Sequence, residues 1–249
     1  MCRHVAYLGP PRTIASLLLA PPHGLVELAQ AARHQDSGTK NPDGFGVGWY
    51  APGDGTPRRY RTACAIWDDA AFPGLAARTT AGALLAAVRL ASPGAPVEVS
   101  GNAPFVAGPW LFSLNGVVHG HFDGVGAALR AVVSPRRAAA IEGVTDSEVL
   151  FALALDRLDA GVPPGAALAA TVAAVTARTT GRLNLLLTDG TRIAATAWEN
   201  SLFTRTTAGP EPSTWVASEP LDDDPGWARV PDRSLVEVAA PGQCTVRPL

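Results

Sequence analysis

Lysine, methionine and blocks of like charge are all scarce in this 249-residue chain. Lys40 is the sole lysine among 20 basic residues, and 22 acidic residues bring the net charge to −2. Nucleic-acid and anionic-membrane partners usually require a basic patch or stripe, which this sequence does not show. The composition therefore predicts neither kind of partner.

Cysteine is also scarce, and its spacing excludes two scaffolds. Cys2, Cys64 and Cys244 are odd in number, widely separated and without a CxxC pair. That pattern fits neither a disulfide framework nor a zinc site, and we expect no metal. The chain also shows no secretory signal pattern and no run of about 18 apolar residues. The expected location is the reducing cytoplasm.

What the chain does contain is apolar sequence in short segments, with 47% hydrophobic residues. Strand patterns fall at 4–9, 45–51, 58–63, 84–91, 110–115, 183–189, 192–198, 202–207, 214–219 and 235–240. Helical patterns fall at 12–20, 24–33, 124–133, 146–160 and 164–180. This order favours stacked antiparallel sheets with helices outside, in one domain.

Cys2 follows the initiator methionine directly. If Met1 is removed, the thiol and an α-amine share one carbon, and the amine, with a pKa near 7.7–8.0, can accept the thiol proton. A thiolate activated in this way is a nucleophile. Alternatively, Cys2 is incidental, since any small residue can follow Met1.

The glycine-rich run NPDGFGVGWY covers residues 41–50. It completes neither GxGxxG nor GxxxxGK[ST], and no helical pattern follows, so a phosphate-binding role is disfavoured. Alternating glycines in a strand favour the close approach of another chain segment or of a ligand.

Asn115 and Gly116 end the apolar stretch WLFSLNG. The asparagine amide and the glycine N–H are donors that an oxyanion hole requires. In isolation, an Asn-Gly hairpin turn is the favoured alternative.

Four further residues are candidates for ligand contacts. Arg89 lies in an otherwise apolar predicted strand and needs a carboxylate partner, either structural or from a substrate. Asp146 begins a predicted helix, where it could be a cap or could bind an ammonium group. His119 and His121 lie two residues apart, but two histidines without a third ligand give little support for a metal.

Taken in order, Cys2, NPDGFGVGWY, VRLAS, NAPF, FSLNG and TDSE resemble a class II glutamine amidotransferase domain, an N-terminal nucleophile hydrolase. The resemblance implies an α+β fold, a four-layer αββα sandwich of two stacked antiparallel sheets, as a single domain over residues 2–249 after Met1 removal. It implies that Cys2 is the nucleophile and that Asn115 and Gly116 form the oxyanion hole. By the same resemblance, Arg89 and Ser92 hold the substrate carboxylate and Asp146 its ammonium.

Two positions depart from the family pattern. Many amidotransferases carry histidine where this chain has Ala87 and Leu114. The first change weakens the inference of ordinary glutamine use, and the second is expected to alter packing around the oxyanion strand. A retained Met1 would instead favour a non-catalytic binding module.

The segment 217–238 resembles the closing strands of one branch of the family. Together, MCRHVAYLGPP, NPDGFGVGWY, VRLAS and VASEPLDDDPGW are similar to the ergothioneine-pathway branch. That branch implies hydrolysis of a γ-glutamyl amide bond in a small cysteine conjugate, using water and no cofactor. No acceptor domain is expected, and a homo-oligomer is possible. The alternatives are a glutaminase that passes ammonia to a separate synthase and a broad γ-glutamyl hydrolase. The leaving group that this branch implies carries a trimethylammonium, a cation that aromatic faces attract. The candidates to contact it are Trp49, Tyr50, Phe105 and Trp110.

Overall fold

The computed structural model describes residues 2–34 and 40–249. In chain order the strands are β1 (Arg3–Thr13), β2 (Phe45–Tyr50), β3 (Arg58–Thr62), β4 (Thr80–Val88), β5 (Phe105–Ala107), β6 (Trp110–Val118), β7 (Gly181–Thr188), β8 (Ile193–Ala197), β9 (Phe203–Thr207), β10 (Ser213–Ala217), β11 (Ala228–Arg229), β12 (Ser234–Ala240) and β13 (Gln243–Pro248). The α-helices are α1 (Ile14–Leu18), α2 (Leu25–Gln30), α3 (Phe72–Arg78), α4 (Gly126–Arg130), α5 (Pro135–Ala138), α6 (Asp146–Asp159) and α7 (Pro164–Thr176).

These strands form two sheets. The first has the order β11-β9-β10-β1-β4-β2-β3, and the second has the order β13-β12-β8-β7-β6-β5. The neighbouring strands pair antiparallel, as short strands joined by tight links allow. The prediction of antiparallel sheets is confirmed.

Three apolar clusters define the layers. Helices α1, α2 and α3 pack on the outer face of the first sheet, where Leu17 and Phe72 belong to the same apolar cluster as Val5. Helices α6 and α7 pack on the outer face of the second sheet. The third cluster lies between the sheets and includes Ala6 and Leu8 of β1. The packing is therefore a four-layer αββα sandwich, as the family resemblance implies.

The glycines of β2 permit the two sheets to approach closely. A Cβ on Gly48 would lie 2.7 Å from the Leu111 side chain of β6, and one on Gly46 would meet the Ala103 carbonyl oxygen. Close approach of another chain segment is thus the structural role of this run, as its alternating pattern favours.

Several predicted element boundaries are wrong, and some candidate residues therefore lie in a different part of the fold from the one predicted. β4 covers Thr80–Val88 instead of 84–91, so Arg89 follows the strand and does not lie within it. β6 continues to Val118, and its residues Asn115 and Gly116 pair with Asn184 and Leu183. The Asn-Gly hairpin alternative is therefore wrong. The helix predicted at 124–133 is shorter, at Gly126–Arg130.

Short elements escaped the sequence patterns. The helices α3 and α5 and the strands β5, β11 and β13 were not predicted. Among the helices in the described ranges, none is both long and apolar enough to cross a bilayer.

Candidate active site

A cavity of about 480 Å³ lies where several element ends meet. The residue before β1, the end of β4, the second half of β6 and the start of α6 all contribute to its lining. The family resemblance implied six catalytic and substrate-binding residues, and five of them line this cavity, namely Cys2, Arg89, Ser92, Gly116 and Asp146. Residues from distant parts of the sequence are thus brought to one site.

Cys2 reaches this cavity from the N-terminal end of β1. Side chains alternate along a strand, so Cys2 shares a face with His4, Ala6 and Leu8. Ala6 and Leu8 belong to the core between the sheets, which places Cys2 at the margin of that layer. Its half-buried Sγ lies 4.0 Å from the Leu90 carbonyl oxygen. Met1, whose removal we expect, lies outside the described residues.

The glycine-rich run also holds the chain around Arg89. The Arg89 N–H donates to the Gly44 carbonyl oxygen at 2.8 Å, and the Asp43 N–H donates to the Arg89 carbonyl oxygen at 3.0 Å. The Asp43 carboxylate accepts from the Ala91 N–H at 2.8 Å. The NPDG segment therefore fixes the backbone that carries Arg89.

Arg89 is only 7% exposed. One of its guanidinium nitrogens donates to the Pro96 carbonyl oxygen at 3.1 Å. Across residues 2–34 and 40–249, no carboxylate lies within ion-pair distance of it. A buried cation is costly unless an anion pairs with it, so this lining favours an anionic ligand group.

Asp146 is the first residue of α6 but does not cap it. Thr145 is the N-cap and forms a capping box with Glu148. The Asp146 carboxylate instead accepts from the Val118 N–H at 2.9 Å and from the Ser147 N–H at 2.8 Å. It therefore ties the start of α6 to the end of β6 and adds a negative charge to the cavity lining.

Gly116 and Asn115 face opposite sides of β6. Gly116 lines the cavity, and a Cβ there would collide with the Arg182 carbonyl oxygen of β7, so the position requires glycine. Asn115 is fully buried and is not among the residues that line the cavity. Its Nδ2 lies 3.1 Å from Ser218 Oγ, and its carbonyl oxygen accepts from Asn200 at 2.9 Å.

His4 and Ser113 lie near Asn115 and Ser218, and the sequence patterns did not indicate them. His4 is fully buried, and its Nδ1 lies 3.2 Å from Ser113 Oγ. Burial, together with the nearby Arg3 charge, lowers the pKa of His4 to about 3. The available signal was the two-residue spacing between Cys2 and His4, the first residue of the predicted strand 4–9, because that spacing places both side chains on one face if the strand extends to Cys2.

The segment after β6 forms one rim of the cavity. His119 Nδ1 lies 2.9 Å from Thr180 Oγ1, and His121 Nε2 lies 2.9 Å from the Val144 carbonyl oxygen. In the described parts of the chain, no group of three or more His, Cys, Asp or Glu residues could hold a metal. These histidines therefore have structural partners.

Of the four aromatic candidates, Phe105 lines the cavity. Trp49 lies in the apolar core between the first sheet and its helices. Trp110 packs against the apolar core between the second sheet and its helices. The Tyr50 hydroxyl donates to the Thr188 carbonyl oxygen at 3.0 Å. Phe122, which the sequence reasoning missed, lines the cavity and is 50% exposed.

Solved structures show the class to which this arrangement belongs. The fold is that of class II glutamine amidotransferases. A glutamine aminotransferase class-II domain protein from Silicibacter pomeroyi is 25% identical, with a TM-score of 0.73, and the match covers 100% of this chain and 99% of that one. The glutamine phosphoribosylpyrophosphate amidotransferase of Bacillus subtilis shares the fold, with 14% identity and a TM-score of 0.66 over 99% of this chain and 49% of that one.

Curated relatives then define the family. The γ-glutamyl-hercynylcysteine sulfoxide hydrolase of Mycolicibacterium smegmatis is 42% identical, covering 96% of each chain. A protein of the same name from Mycobacterium tuberculosis is 42% identical over 97% of this chain and 94% of its own. The chain belongs to the γ-glutamyl-hercynylcysteine sulfoxide hydrolase family. The probable glutamine amidotransferase DUG3 of Saccharomyces cerevisiae is 30% identical over 64% of this chain and 46% of its own. No family model matches the chain.

Proposed function

We propose that this chain hydrolyses the γ-glutamyl amide bond of γ-glutamyl-hercynylcysteine sulfoxide, releasing glutamate and hercynylcysteine sulfoxide in ergothioneine biosynthesis. The observation that carries the proposal is the nearly buried Arg89, which lines one cavity with Cys2 and Asp146 and has no carboxylate partner within the described residues. The names of the curated relatives support the same substrate.

The two charges match the two ends of a glutamyl group. Arg89 would pair with the α-carboxylate, with Ser92 as a second donor, and Asp146 would bind the α-ammonium. With both ends held, the γ-amide is the part of the substrate that is left to meet Cys2. Such positioning lowers the activation barrier because the reacting atoms no longer lose freedom in the reaction step.

Bond cleavage begins at Cys2. After Met1 removal, the α-amine takes the thiol proton, and the thiolate attacks the γ-carbonyl carbon. Negative charge then develops on the carbonyl oxygen, where the Asn115 amide and the Gly116 N–H would donate hydrogen bonds. As the C–N bond breaks, the Cys2 ammonium returns its proton to the departing amine.

The product of this first step is a γ-glutamyl thioester on Cys2. The neutral amine then accepts a proton from water, and the resulting hydroxide attacks the thioester carbonyl. Glutamate leaves and the thiol is restored. These steps consume one water and require no cofactor, and the sequence favours the cytoplasm as their setting.

The leaving group would occupy the rest of the cavity. The volume of about 480 Å³ falls within the range of about 300–1,000 Å³ typical of sites for drug-sized ligands. Phe122 and Asp123 both line it. An aromatic face and a carboxylate are two groups that attract a trimethylammonium, and they support a cationic leaving group.

A glutaminase that delivers ammonia to a separate synthase is the second candidate. The amidotransferase names among the solved structures and the yeast relative favour it. Such an enzyme would prefer free glutamine, whose leaving group is ammonia. A broad γ-glutamyl hydrolase would show little preference.

The test is glutamate release from the conjugate and from glutamine, after intact-mass analysis of the same preparation. We expect loss of Met1 and a strong preference for the conjugate. Cys2→Ala should retain binding and lose turnover, whereas Cys64→Ala, at an exposed thiol, should remain active. Turnover by Cys2→Ala would refute the mechanism, and a preference for glutamine would favour the second candidate.

A further inference from the structure

Three buried groups meet beside the candidate oxyanion site. Ser218 Oγ accepts from the His4 backbone N–H at 3.0 Å and lies 3.1 Å from Asn115 Nδ2. All three residues are fully buried. The side chain of Ser218 therefore connects the strand that follows Cys2 with the strand that carries Asn115.

In this arrangement the hydrogen bonds are incompletely matched. Ser218 Oγ receives two donors, while its own proton reaches no acceptor within residues 2–34 and 40–249. In the same ranges, the buried Asn115 Oδ1 has no hydrogen-bond partner. Buried polar atoms are almost always paired, so this mismatch requires an explanation.

Rotating the Asn115 amide by half a turn pairs the Ser218 hydroxyl proton with Asn115 Oδ1 and leaves Nδ2 as the end without a partner. The oxygen and nitrogen ends of an amide have nearly the same shape, and the surrounding donors and acceptors decide which end lies where. With Oδ1 toward Ser218, the hydroxyl donates to Oδ1 and still accepts from the His4 N–H. Nδ2 then occupies the other end, where its two hydrogens have no partner within the described residues.

We infer that Ser218 is a positioning residue, whose hydroxyl holds Asn115 Oδ1 and thereby presents the Asn115 N–H donors to the reaction. This inference rests on the proposed oxyanion role of Asn115. Ser218 is itself well fixed, because its N–H donates to the His4 carbonyl oxygen at 2.9 Å and its carbonyl oxygen accepts from Ser201 Oγ at 2.9 Å. The hydroxyl is thus held in a defined position relative to β1.

The test is a double-mutant cycle on turnover of the γ-glutamyl conjugate. Asn115→Ala should lower kcat by about 10²–10³, as expected for one oxyanion donor. Ser218→Ala should lower kcat by about tenfold or more with KM nearly unchanged, because the amide can then turn its oxygen toward the reaction. In the Asn115→Ala background, Ser218→Ala should have no further effect on kcat, since it acts through the amide.

A matched control separates this role from general packing. Thr188→Ala removes another buried hydroxyl, one that donates to the Arg192 carbonyl oxygen and accepts from the Gly190 N–H in the turn between β7 and β8, so it should lower Tm without changing kcat. Ser218→Thr keeps the hydroxyl and should retain kcat. If the methyl group prevents folding, the cycle alone decides.

The outcomes distinguish the two proposals. If Asn115→Ala keeps full kcat, the oxyanion assignment fails, and this inference fails with it. If Asn115→Ala loses kcat but Ser218→Ala does not, or if the two losses multiply, the positioning role of Ser218 is refuted while the proposed function stands.

Discussion

Arg89 is held in a rigid frame that leaves its charge available to a ligand. The backbone contacts from Asp43 and Gly44 fix its main chain, and the residue is only 7% exposed. Within the described ranges it has no carboxylate partner, so the unliganded protein carries the desolvation cost of this cation. A substrate carboxylate would offset that cost on binding.

Arg89→Met should therefore separate binding from stability. Hydrogen bonds to charged groups contribute about 1.5–3 kcal/mol, so kcat/KM for the conjugate should fall about ten- to hundredfold, mainly through KM. The free energy of unfolding should stay constant or increase, because an apolar side chain replaces a buried, unpaired charge. The measurements are steady-state glutamate release and urea denaturation.

An analogue without the α-carboxylate provides the control for Arg89. The wild type and Arg89→Met should process such an amide at similar rates, since the missing group is the one that Arg89 holds. A variant that loses activity equally on both substrates would contradict the carboxylate role.

For single residues, the sequence predicted which side chains are candidates better than it predicted the groups that surround them. Arg89 was recognisable as a charge among apolar residues, and Cys2 by its position. The partners that define their surroundings, such as the Pro96 carbonyl oxygen, come from loop geometry that no periodicity encodes. Ser218 lay in a segment noted for its family resemblance, but its contact with Asn115 spans 103 residues of sequence.

At the scale of elements, the rim after β6 is a single irregular helical turn, His121–Val125. Gly120 precedes it with φ of 69°, a left-handed conformation that favours glycine, and Gly124 within it has φ of 105°. These two glycines let the chain reverse and present Phe122 to the cavity. The sequence pattern indicated a helix from 124 and so gave no reason to place an aromatic side chain at the rim.

Phe122→Leu tests whether this turn contributes to leaving-group selection. A half-exposed ring over a cation is worth about 0.5–1 kcal/mol, so kcat/KM for the trimethylated conjugate should fall about two- to fivefold. Hydrolysis of γ-glutamylcysteine, which lacks that cation, should not change. Phe122→Tyr keeps the ring and should retain the preference, and an equal loss on both substrates would argue against the cation contact.

Element boundaries explain most of the remaining errors. The sequence predicted the two long helices well because α6 has a capping box and both follow clear apolar patterns. It ended β6 at the Asn-Gly pair because that pair is a strong turn signal. The pairing of β6 with β7 overrides this local preference over eight registered positions, from Leu111 to Val118.

For the whole molecule, the layer between the sheets changes character along its length. It is apolar around Ala6 and Leu8, and it becomes polar toward the cavity, where His4 contacts Ser113. Burying a histidine here favours its neutral form, because the charged form would lose its hydration. The end of the sandwich that meets the cavity is therefore linked to the pH dependence of folding.

The sign of that dependence follows from the pKa of His4, which is lowered from 6.5 to about 3, first by burial and then by the Arg3 charge. Above pH 6.5 the residue is neutral in both folded and unfolded chains and adds no dependence on pH. As the pH falls from about 6.5 toward 3, the unfolded chain gains a proton that the folded chain does not. The free energy of unfolding should then decrease by up to about 1.4 kcal/mol per pH unit from this group.

His4→Asn isolates this contribution, since its amide can replace the Nδ1 contact with Ser113 but does not titrate. Between pH 6.5 and 4, the free energy of unfolding from urea denaturation should fall less steeply for the variant than for the wild type. Other titrating groups are common to both proteins and cancel in the difference. If the free energy of unfolding fell with equal slope in both proteins, His4 would take up its proton in the folded state as well. The space between the sheets at the cavity end of β1 would then have to admit a charge or water.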